Sequence, residues 1–276
     1  MMRISTKDYV EIDEQNPRYI EDPNNTDTLT EVSKCTRIDI YHSKFFDKQV
    51  AYRYLFCLSD GNLIESAAYH HFKRDPYILQ DLSIDLSTMV GCLYKCKFCA
   101  SQSISYIRSL KPFEIISQFV RLVREHDIPS YPQIMCSFQG IGEASLIPED
   151  IIEISKHLLK LDRRINISIA TMGTFLRAFQ IWRDSGVPIR NLQISLSGTT
   201  NEQTHWLMPA SPDFKKLISE AQLCASTGRF HQIKFNYILI KDFNDSNSDV
   251  KRLISFFTNT PYILKISALK RNQFGF

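Results

Sequence analysis

The sequence has no run of apolar residues long enough to cross a bilayer, and its N-terminus lacks the charged-then-apolar pattern of a secretion signal. We therefore expect a cytoplasmic protein that does not enter a membrane. A large excess of either charge is also missing, because the formal net charge of the 276 residues is only +3. Bulk charge alone thus gives no reason to predict a nucleic-acid-binding protein.

Charge is nevertheless distributed unevenly along the chain. Residues 1–31 contain eight acidic and three basic residues, so the remainder carries a balance of +8. This mild basic bias is compatible with an anionic substrate. The polar and acidic residues 1–34, which include Pro17 and Pro23, are predicted to form an extended arm or a loose cap, with a disordered tail as the alternative.

Cysteine is too sparse and too scattered for a disulfide framework, since the chain has only seven. Four of them lie far apart in the sequence, at Cys35, Cys57, Cys136 and Cys224. This usage is typical of a reducing compartment and agrees with a cytoplasmic location. The remaining three stand close together and need a separate explanation.

These three cysteines, Cys92, Cys96 and Cys99, have the spacing C-x3-C-x2-C, with Phe98 directly before the last. Three thiolates can bind three irons of a cubane [4Fe–4S] cluster and leave the fourth iron without a protein ligand. That iron can be chelated by the amino and carboxylate groups of S-adenosylmethionine (SAM). One electron from the cluster would then break a carbon–sulfur bond and release a 5′-deoxyadenosyl radical, while the protein supplies orientation and protection.

Two other interpretations of the motif are weaker. A structural zinc site needs four ligands in a closed tetrahedron, and the nearest further candidates, His70, His71 and Cys136, do not have finger-like spacing. Three free cysteines packed as small hydrophobic residues would bury the interleaved Lys95 and Lys97 with them. Those lysines could instead offset the negative charge of a thiolate-ligated cluster. The motif therefore favours the iron–sulfur cluster, and it resembles the signature of radical SAM enzymes.

Residue patterns predict a small antiparallel β element before the motif. Segments rich in β-branched and aromatic residues predict strands at Thr36–Tyr41, Val50–Leu58 and Asn62–Tyr69, and Asp60-Gly61 predicts a tight turn between the last two. A further predicted strand, Ile78–Ser87, leads into the cysteine motif.

After the motif, strands alternate with single helices. The predicted strands are Gln133–Phe138, Ile165–Thr171, Leu192–Ser197, Phe230–Ile240 and Tyr262–Ala268. The predicted helices begin at Lys111-Pro112, span Pro148–Leu161 and Phe175–Ser185, run from Ser211-Pro212 to Gly228, and span Ser246–Phe257. About six β/α units are too few for a closed eight-fold barrel. We therefore predict an α/β fold: a partial (β/α)6 barrel over residues 77–276, with a small N-terminal β-rich extension over residues 1–76.

Ligands in such folds sit at the carboxyl ends of the strands, where the cysteine loop is expected to follow the first barrel strand. Small and polar residues follow other strands at the same edge. Gly142 lets backbone approach a ligand and Glu143 supplies a carboxylate, although a tight strand-to-helix turn is the alternative. The hydroxyls of Thr171, Ser195 and Ser197 could bond the ribose or the carboxylate of SAM, or could cap the following helices.

Several longer motifs resemble the RlmN/Cfr family of radical SAM RNA methyltransferases. They are the runs 54–61, 140–143, 192–198 and 237–245, together with Asn201-Glu202 and Leu207-Met208-Pro209. The resemblance implies a radical SAM barrel that carries a [4Fe–4S] cluster and SAM, and a one-electron donor such as flavodoxin or ferredoxin. Family members methylate an adenosine in ribosomal or transfer RNA. They use one cysteine that accepts the methyl group and a second that helps to release the product.

The sequence departs from this family where the methyl group is handled. Asp85 stands at the position of the product-release cysteine, seven residues before Cys92, and no cysteine follows Cys224. The family's Gly-Glu-Pro is Gly142-Glu143-Ala144 here, a usual histidine is Ser197, and a usual asparagine near the last strand has no clear match. We also expect no counterpart of the family's N-terminal helical RNA-binding domain. Cys35 or Cys57 could substitute only if the N-terminal segment folds over the site.

We therefore predict a radical SAM enzyme that abstracts hydrogen directly from an unidentified nucleoside, nucleotide, RNA or peptide. Asp85 is expected to face the substrate or act as an acid or base, with a solvated strand-end aspartate as the alternative. RNA adenosine methylation is the alternative function, and a non-enzymatic iron–sulfur redox protein is a third. His205 and Trp206, placed on a loop, could contact a substrate, although a surface histidine and a packed aromatic are the simpler interpretation.

Overall fold

An eleven-stranded sheet forms the centre of the molecule. The computed structural model describes residues 9–12, 18–19, 30–37, 51–73, 78–126 and 131–269. In these residues the strands are β1 (Tyr9–Ile12), β2 (Arg18–Tyr19), β3 (Thr30–Arg37), β4 (Ala51–Cys57), β5 (Leu63–Lys73), β6 (Ile78–Asp85), β7 (Met89–Val90), β8 (Arg108–Ser109), β9 (Gln133–Phe138), β10 (Ile165–Thr171), β11 (Ile189–Leu196), β12 (Phe230–Leu239) and β13 (Ile263–Ala268). β7 and β8 pair with each other outside the large sheet.

The carboxyl-terminal part of the sheet is parallel. Its strands lie in the order β6, β9, β10, β11, β12 and β13, and every neighbouring pair among them is parallel. The helices that connect them are α1 (Pro112–Glu125), α2 (Pro148–Leu161), α3 (Arg177–Asp184), α4 (Asn201–Leu207), α5 (Phe214–Ser226) and α6 (Asn247–Phe257). Six parallel strands joined by helices confirm the predicted partial (β/α)6 barrel.

The amino-terminal part of the sheet is antiparallel and hydrogen-bonds to the barrel strands. β3 pairs with β4, β4 with β5 and β5 with β6, all antiparallel. The predicted turn between β4 and β5 is closed by Gly61, which has φ +80° and donates its amide to the Leu58 carbonyl at 2.9 Å. The strands predicted at Val50–Leu58 and Asn62–Tyr69 are thereby confirmed. The predicted division after residue 76 falls between β5 and β6 and stays a prediction.

The first strands differ from the expectation. β3 ends at Arg37, whereas the predicted strand spans Thr36–Tyr41, and residues 38–41 lie outside the described part. Of residues 1–34, for which an extended arm or a loose cap is predicted, the described part contains β1, β2 and residues 30–34 of β3. These strands are short or mix charged and polar residues, so their alternation is too weak to indicate a strand.

The helices cover one face of the barrel sheet with their apolar sides. α1 begins at Pro112, where proline costs no intrahelical bond, and the Glu114 carboxylate accepts the Lys111 amide at 2.8 Å. The strand residues that face the helices are apolar and buried: Leu82, Ile84, Ile134, Cys136, Ile167, Ile169, Leu192, Ile194, Phe235 and Tyr237. In the described part of the chain, no helix has both the length and the apolar character that crossing a bilayer requires.

The opposite face of the parallel strands is polar. It lines the interior of the partial barrel, which we call the lumen. Side chains alternate between the two faces of a strand, so Asp85, Ser168, Gln193, Asn236 and Lys265 point into the lumen from five different strands. Burial raises the pKa of the Asp85 carboxyl, and the positive charge of Lys265 opposes that rise. Side chains of the first and the last parallel strand therefore approach each other, which means that the sheet curves into a partial barrel.

Candidate active site

The three motif cysteines lie on a loop that follows β6 and β7. β7 and β8 pair antiparallel at the base of this loop. Gly91 begins the loop with φ +70°, and a Cβ there would collide with the Ser105 carbonyl, so only glycine lets the two sides approach. A bridge between Cys92 and Ser105 then links the sides, and the Cys99 amide donates to the Cys96 carbonyl at 3.0 Å.

The three cysteines are close enough to influence one another's ionisation. Burial is the main reason that the pKa of the Cys96 thiol rises to about 12, and charges on Cys99, Cys92 and Glu143 raise it further. The pKa of Cys92 is also raised mainly by burial, with added contributions from Cys99 and Glu143. Three thiols and one carboxyl therefore converge on one small region.

This donor set fits a thiolate-ligated cluster. Thiols that raise one another's pKa keep their protons, and a positively charged group among them would release the protons and remove the repulsion. Within the described ranges, no three or more His, Cys, Asp or Glu side chains are arranged to hold a single metal ion. A cubane cluster makes a different demand, because each cysteine binds a different iron and the sulfurs need not meet at one point.

The cysteine loop packs against the ends of distant elements. Cys96 belongs to a small hydrophobic cluster with Met172, which follows β10, and with Leu207 and Met208 at the end of α4. The Lys97 amide donates to the Leu207 carbonyl at 2.9 Å. The position of the cysteines therefore depends on residues far away in the sequence.

Glu143 is a buried carboxylate just after β9, with 4% of its surface exposed. Its Oε2 accepts the Met172 amide at 2.9 Å, its Oε1 accepts the Ser145 amide at 3.0 Å, and Thr171 Oγ1 also donates to Oε1. Burial raises the pKa of Glu143, and these hydrogen bonds oppose the rise. A carboxylate has about four acceptor sites, so one remains for a further donor.

Gly140 and Gly142 press the turn after β9 against the segment that leads into the cysteine loop. A Cβ at Gly140 would lie 2.6 Å from the Ser87 amide nitrogen. Gly142 has φ +124° and lies against the side chain of Thr88. The close approach that these glycines permit is therefore to the protein's own chain, and it sets the carboxylate beside the cysteines.

The three hydroxyl residues predicted at strand ends occupy different environments. Thr171 is buried and joins the carboxylate of Glu143 to the Gly173 amide, which its Oγ1 accepts at 2.7 Å. Ser195 is half-buried on the lumen side of β11. Ser197 is fully buried, and its hydroxyl lies 3.7 Å from the Met208 sulfur. The structure thus brings Thr171 to the carboxylate, while the Ser197 hydroxyl faces the small hydrophobic cluster.

Asp85 is the last residue of β6 and is half-buried in the lumen. Burial raises its pKa to about 7, although a hydrogen bond with Ser137 and the charge of Lys265 both act to lower it. The pKa of the fully buried Cys136 is raised by burial and by the charge of Asp85. Asp85 can therefore gain or lose a proton near neutral pH, which is a property that general acids and bases need.

Cys57, one of the two suggested substitutes for a methyl-carrying cysteine, ends β4. Arg53 of β4 lies opposite Ala67 of β5, and Ala67 lies opposite Asp85 of β6, so these three side chains share one face of the sheet. Cys57 is four residues after Arg53 in β4, so side-chain alternation places it on the same face as Asp85. Its thiol donates to the Leu58 carbonyl at 3.4 Å. Cys35 lies in β3, and its side chain is outside the described part.

The similarity of the chain to a known protein family identifies the superfamily to which it belongs. The family model for the radical SAM superfamily matches residues 86–256, which is more than half of the chain. The chain belongs to the radical SAM superfamily. The predicted class of enzyme is thereby confirmed.

Several relatives of this radical SAM protein carry the RlmN name. It is 28% identical over 229 residues to the dual-specificity RNA methyltransferase RlmN of Pelobacter propionicus, covering 80% of this chain and 61% of that protein. It is 30% identical over 256 residues to a probable dual-specificity RNA methyltransferase RlmN of Thermotoga petrophila, covering 86% of this chain and 70% of that protein. It is thus a divergent RlmN/Cfr-like protein, and it spans about three fifths of the length of several of these relatives.

A solved structure has the same fold. The crystal structure of a radical SAM methyltransferase from Sphaerobacter thermophilus superposes with a TM-score of 0.73 at 21% identity, covering 88% of this chain and 67% of that one. At this identity the likeness concerns the fold, and it agrees with the radical SAM barrel predicted from the sequence.

Two buried polar residues of this radical SAM protein were not predicted individually, although Asn244 lies within the run 237–245. Asn244 Nδ2 donates to the carbonyls of Ser197 at 2.9 Å and Ile238 at 2.8 Å. Asp249 Oδ1 accepts from Gln203 Nε2 at 3.0 Å and so connects α6 to α4. These residues fix the loops after β11 and β12. The signal that was available is the capping box of α6, in which Asp249 is the third helical residue.

His205 and Trp206 lie on α4, so the loop predicted for them is wrong. A helix of seven residues is too short to show a clear apolar period. The Trp206 ring packs on Phe243 with centroids 4.8 Å apart, and the Lys97 ammonium lies 3.5 Å from the Trp206 centroid. Trp206 therefore connects α4 to the cysteine loop. His205 is exposed, as the simpler interpretation predicted.

Proposed function

We propose that the protein binds a [4Fe–4S] cluster through Cys92, Cys96 and Cys99 and cleaves SAM reductively beside it. The observation that carries this proposal is the convergence of the cysteines and the Glu143 carboxyl, which act on one another's ionisation at the carboxyl ends of the parallel strands. Membership of the radical SAM superfamily implies the same two cofactors.

When bound, the cluster supplies one electron that breaks a carbon–sulfur bond of SAM and yields a 5′-deoxyadenosyl radical. The chain's own residues supply position. Glu143 offers its remaining acceptor site to the SAM ammonium, and the turn at Gly142 and the hydroxyl of Thr171 hold it in place. Ser195 offers a hydroxyl from the lumen. Ser197, whose own hydroxyl faces Met208, supports this edge rather than contacting SAM. Reductive cleavage of SAM also requires a one-electron donor such as flavodoxin or ferredoxin.

Anaerobic reconstitution tests the proposal. Protein supplied with iron, sulfide, SAM and a strong reductant should form 5′-deoxyadenosine, and Cys96→Ala should lose both bound iron and SAM cleavage. Cys224→Ala is the matched control, because Cys224 is buried in the main hydrophobic core and belongs to no part of the site. Wild-type protein with a full complement of iron and no 5′-deoxyadenosine would contradict the proposal.

RNA adenosine methylation is the reaction that the relatives support, since both are named as RNA methyltransferases. We propose that one SAM gives its methyl group to the Cys57 thiolate on the lumen face and leaves as S-adenosylhomocysteine, and that a second SAM is cleaved to 5′-deoxyadenosine and methionine when a hydrogen is abstracted from the methylated Cys57. Incubation with ribosomal and transfer RNA should then produce S-adenosylhomocysteine and a methylated adenosine, detected by nucleoside mass spectrometry. Cys96→Ala should produce neither. The absence of both products with active wild-type protein would exclude this reaction.

Direct hydrogen abstraction is the second candidate, and Asp85 favours it. A carboxyl stands at the lumen end of β6, where the resemblance implies a product-release cysteine. An enzyme of this kind should form 5′-deoxyadenosine and methionine without S-adenosylhomocysteine. The ratio of the two SAM-derived products therefore separates the candidates.

A further inference from the structure

The outer side of the cysteine loop carries large apolar side chains that are exposed. They are Leu93, Ile104, Tyr106 and Ile107, with between 38% and 58% of their surface exposed. The bridge between Cys92 and Ser105 holds the two sides of the loop together, so these four residues form one patch, which we call the loop face. A contiguous exposed apolar patch is typical of an interaction site.

Basic residues flank the loop face in the chain. Residues 86–113 contain four basic residues and no acidic residue. Lys95 and Lys111 are exposed. Lys95 Nζ donates to the Gln102 carbonyl at 2.8 Å, and this bond holds the ammonium along the surface of the loop. A partner that covers the apolar patch therefore meets positive charge beside it.

Two acidic side chains form ion pairs with this part of the chain, and both bind Arg108. Arg108 Nη2 lies 2.7 Å from Asp60 Oδ2, and Arg108 Nη1 lies 2.8 Å from Glu114 Oε2. Among the described residues, no ion pair joins a lysine of the segment 86–113 to a carboxylate. Four basic residues against two acids leave a net positive charge, which favours an acidic partner.

The loop face lies next to the residues that bind the proposed cluster. Leu93 directly follows Cys92, and the Cys92 amide donates to the Ile104 carbonyl at 3.5 Å. Cys99 is half-buried, whereas Cys92 and Cys96 are buried, so Cys99 is the most accessible of the three thiols. A protein that covers the loop face therefore approaches the cluster through only a few residues.

We propose that the loop face is the docking surface of the one-electron donor, and that this donor is a small protein with an acidic rim around an apolar contact. The inference rests on the proposed function and deepens it, because it assigns the surface on which a partner of the same site binds. In the transfer step the donor loses one electron to the cluster, and no bond or proton changes place. The apolar side chains exclude water at the centre of the contact, and the lysines steer and orient the acidic partner.

RNA is another macromolecule that binds positively charged surfaces. Sites for single-stranded RNA combine cations with aromatic side chains on which the bases stack. The loop face has three aliphatic side chains and one aromatic side chain, Tyr106. This composition favours a protein partner, and the experiment below includes RNA as a competitor.

The test uses the full chain, reconstituted with iron and sulfide, and a flavodoxin of net negative charge as the probe. Isothermal titration calorimetry measures the binding of oxidised flavodoxin, so no electron transfer takes place. Ile107→Asp should weaken binding about tenfold, because it places a charge of the partner's own sign at the most exposed apolar residue of the loop face. Ile254→Asp makes the same change at a similarly exposed isoleucine of α6 and should bind like the wild type.

The choice of reductant separates docking from chemistry. Dithionite is a small molecule that needs no docking surface, so Ile107→Asp should form 5′-deoxyadenosine at the wild-type rate with dithionite. With reduced flavodoxin, its kcat/KM for flavodoxin should be about tenfold lower than that of the wild type. The double variant Lys95→Gln, Lys111→Gln should bind flavodoxin more weakly and with a smaller salt dependence. This variant decides the question if Ile107→Asp does not retain its iron.

Three results would overturn the inference. The first is wild-type binding of flavodoxin by both loop variants, or no binding of flavodoxin by the wild type. The second is an equal loss of SAM cleavage with flavodoxin and with dithionite, which would show that the changes act on the cluster. The third is displacement of flavodoxin by a single-stranded oligoribonucleotide, which would assign the loop face to RNA.

Failure of the proposed function gives a different result. The wild type would then form no 5′-deoxyadenosine with dithionite, while it still bound flavodoxin in a way that Ile107→Asp weakens. Cleavage with dithionite together with flavodoxin binding that neither loop variant changes would defeat the docking surface alone.

Discussion

At the level of single residues, burial sets the acid–base behaviour of the lumen. The pKa of Asp85 is about 7 in the folded protein, and it is about 3.9 for an unperturbed aspartate. Between these values the folded state binds more protons than the unfolded state, so stability decreases as pH rises through this window. The protonated carboxyl is therefore the form that the fold favours, with Ser137 and Lys265 as the groups that oppose it.

Asp85→Asn should remove this pH dependence. We expect the variant to gain stability over the wild type between pH 5 and pH 8 by on the order of 1–2 kcal/mol, less than the full shift because the side chain is only half-buried. Urea unfolding at both pH values, at equal cofactor content, measures the difference. Asp184→Asn, on the exposed end of α3, is the control. Parallel stability curves for Asp85→Asn and the wild type would contradict the assignment.

Glu143 should act on both stability and SAM binding. Glu143→Ala leaves the Met172 and Ser145 amides and the Thr171 hydroxyl without their acceptor, which should cost on the order of 2–4 kcal/mol of unfolding free energy. Glu143→Gln keeps one carbonyl acceptor and should lose less stability, yet it should bind SAM more weakly because the charge is gone. Urea unfolding and equilibrium dialysis with SAM measure the two effects. Glu149→Gln, exposed on α2, should change neither.

At the level of elements, the turn after β9 is the critical connection. Gly140→Ala would place a Cβ within 2.6–2.8 Å of the backbone of Leu86 and Ser87, so the segment leading to the cysteines must move. We expect a loss of about 2 kcal/mol or more together with a lower iron content after reconstitution. Gly228→Ala, at φ +68° with open space around it, should cost only about 1 kcal/mol and keep its iron. Equal effects of the two changes would show that the close approach is unimportant.

Periodicity predicts the regular elements well where burial is continuous and the boundaries carry their own signals. Gln133–Phe138, Pro148–Leu161 and Ile165–Thr171 are observed with the predicted bounds, because an apolar strand or helix is delimited by proline or polar residues. β7, β8 and α4 are too short to generate a period, and they were not predicted. They are held by contacts to other elements instead, such as the Lys97 amide bond to Leu207.

In the candidate site, too, the local features could be predicted from the sequence and the long-range contacts could not. The cysteine spacing and the strand-end position of Glu143 are local features, and the sequence contains them. The meeting of Asp85 with Lys265, and of Cys96 with Met172 and Leu207, depends on the curvature of the whole sheet. No local pattern encodes a contact between the first and the last parallel strand, so these partners emerge only from the structure.

At the level of the whole molecule, packing contacts and hydrogen bonds fix the cysteine loop to the barrel. The small hydrophobic cluster joins Cys96 to the end of β10 and to α4. Asp249 connects α4 to α6, and Asn244 connects the loops after β11 and β12. A group bound only by the folded loop should therefore stabilise the barrel as a whole. If the loop lacked these contacts, the bound group would order the loop without stabilising the rest of the barrel.

Reconstitution of the cluster should accordingly raise the Tm of the protein by roughly 5–10 °C, the shift expected when a ligand binds the native state at about 100 times its Kd. Removal of iron by a chelator should reverse the rise, and Cys96→Ala should show none. Hydrogen exchange locates the effect. Because Cys96 packs on Met172 and Leu207, exchange should slow at the end of β10 and in α4 as well as in the loop. Slowing confined to residues 91–109 would show that the loop orders by itself, and that its contacts with the barrel do not transmit stability.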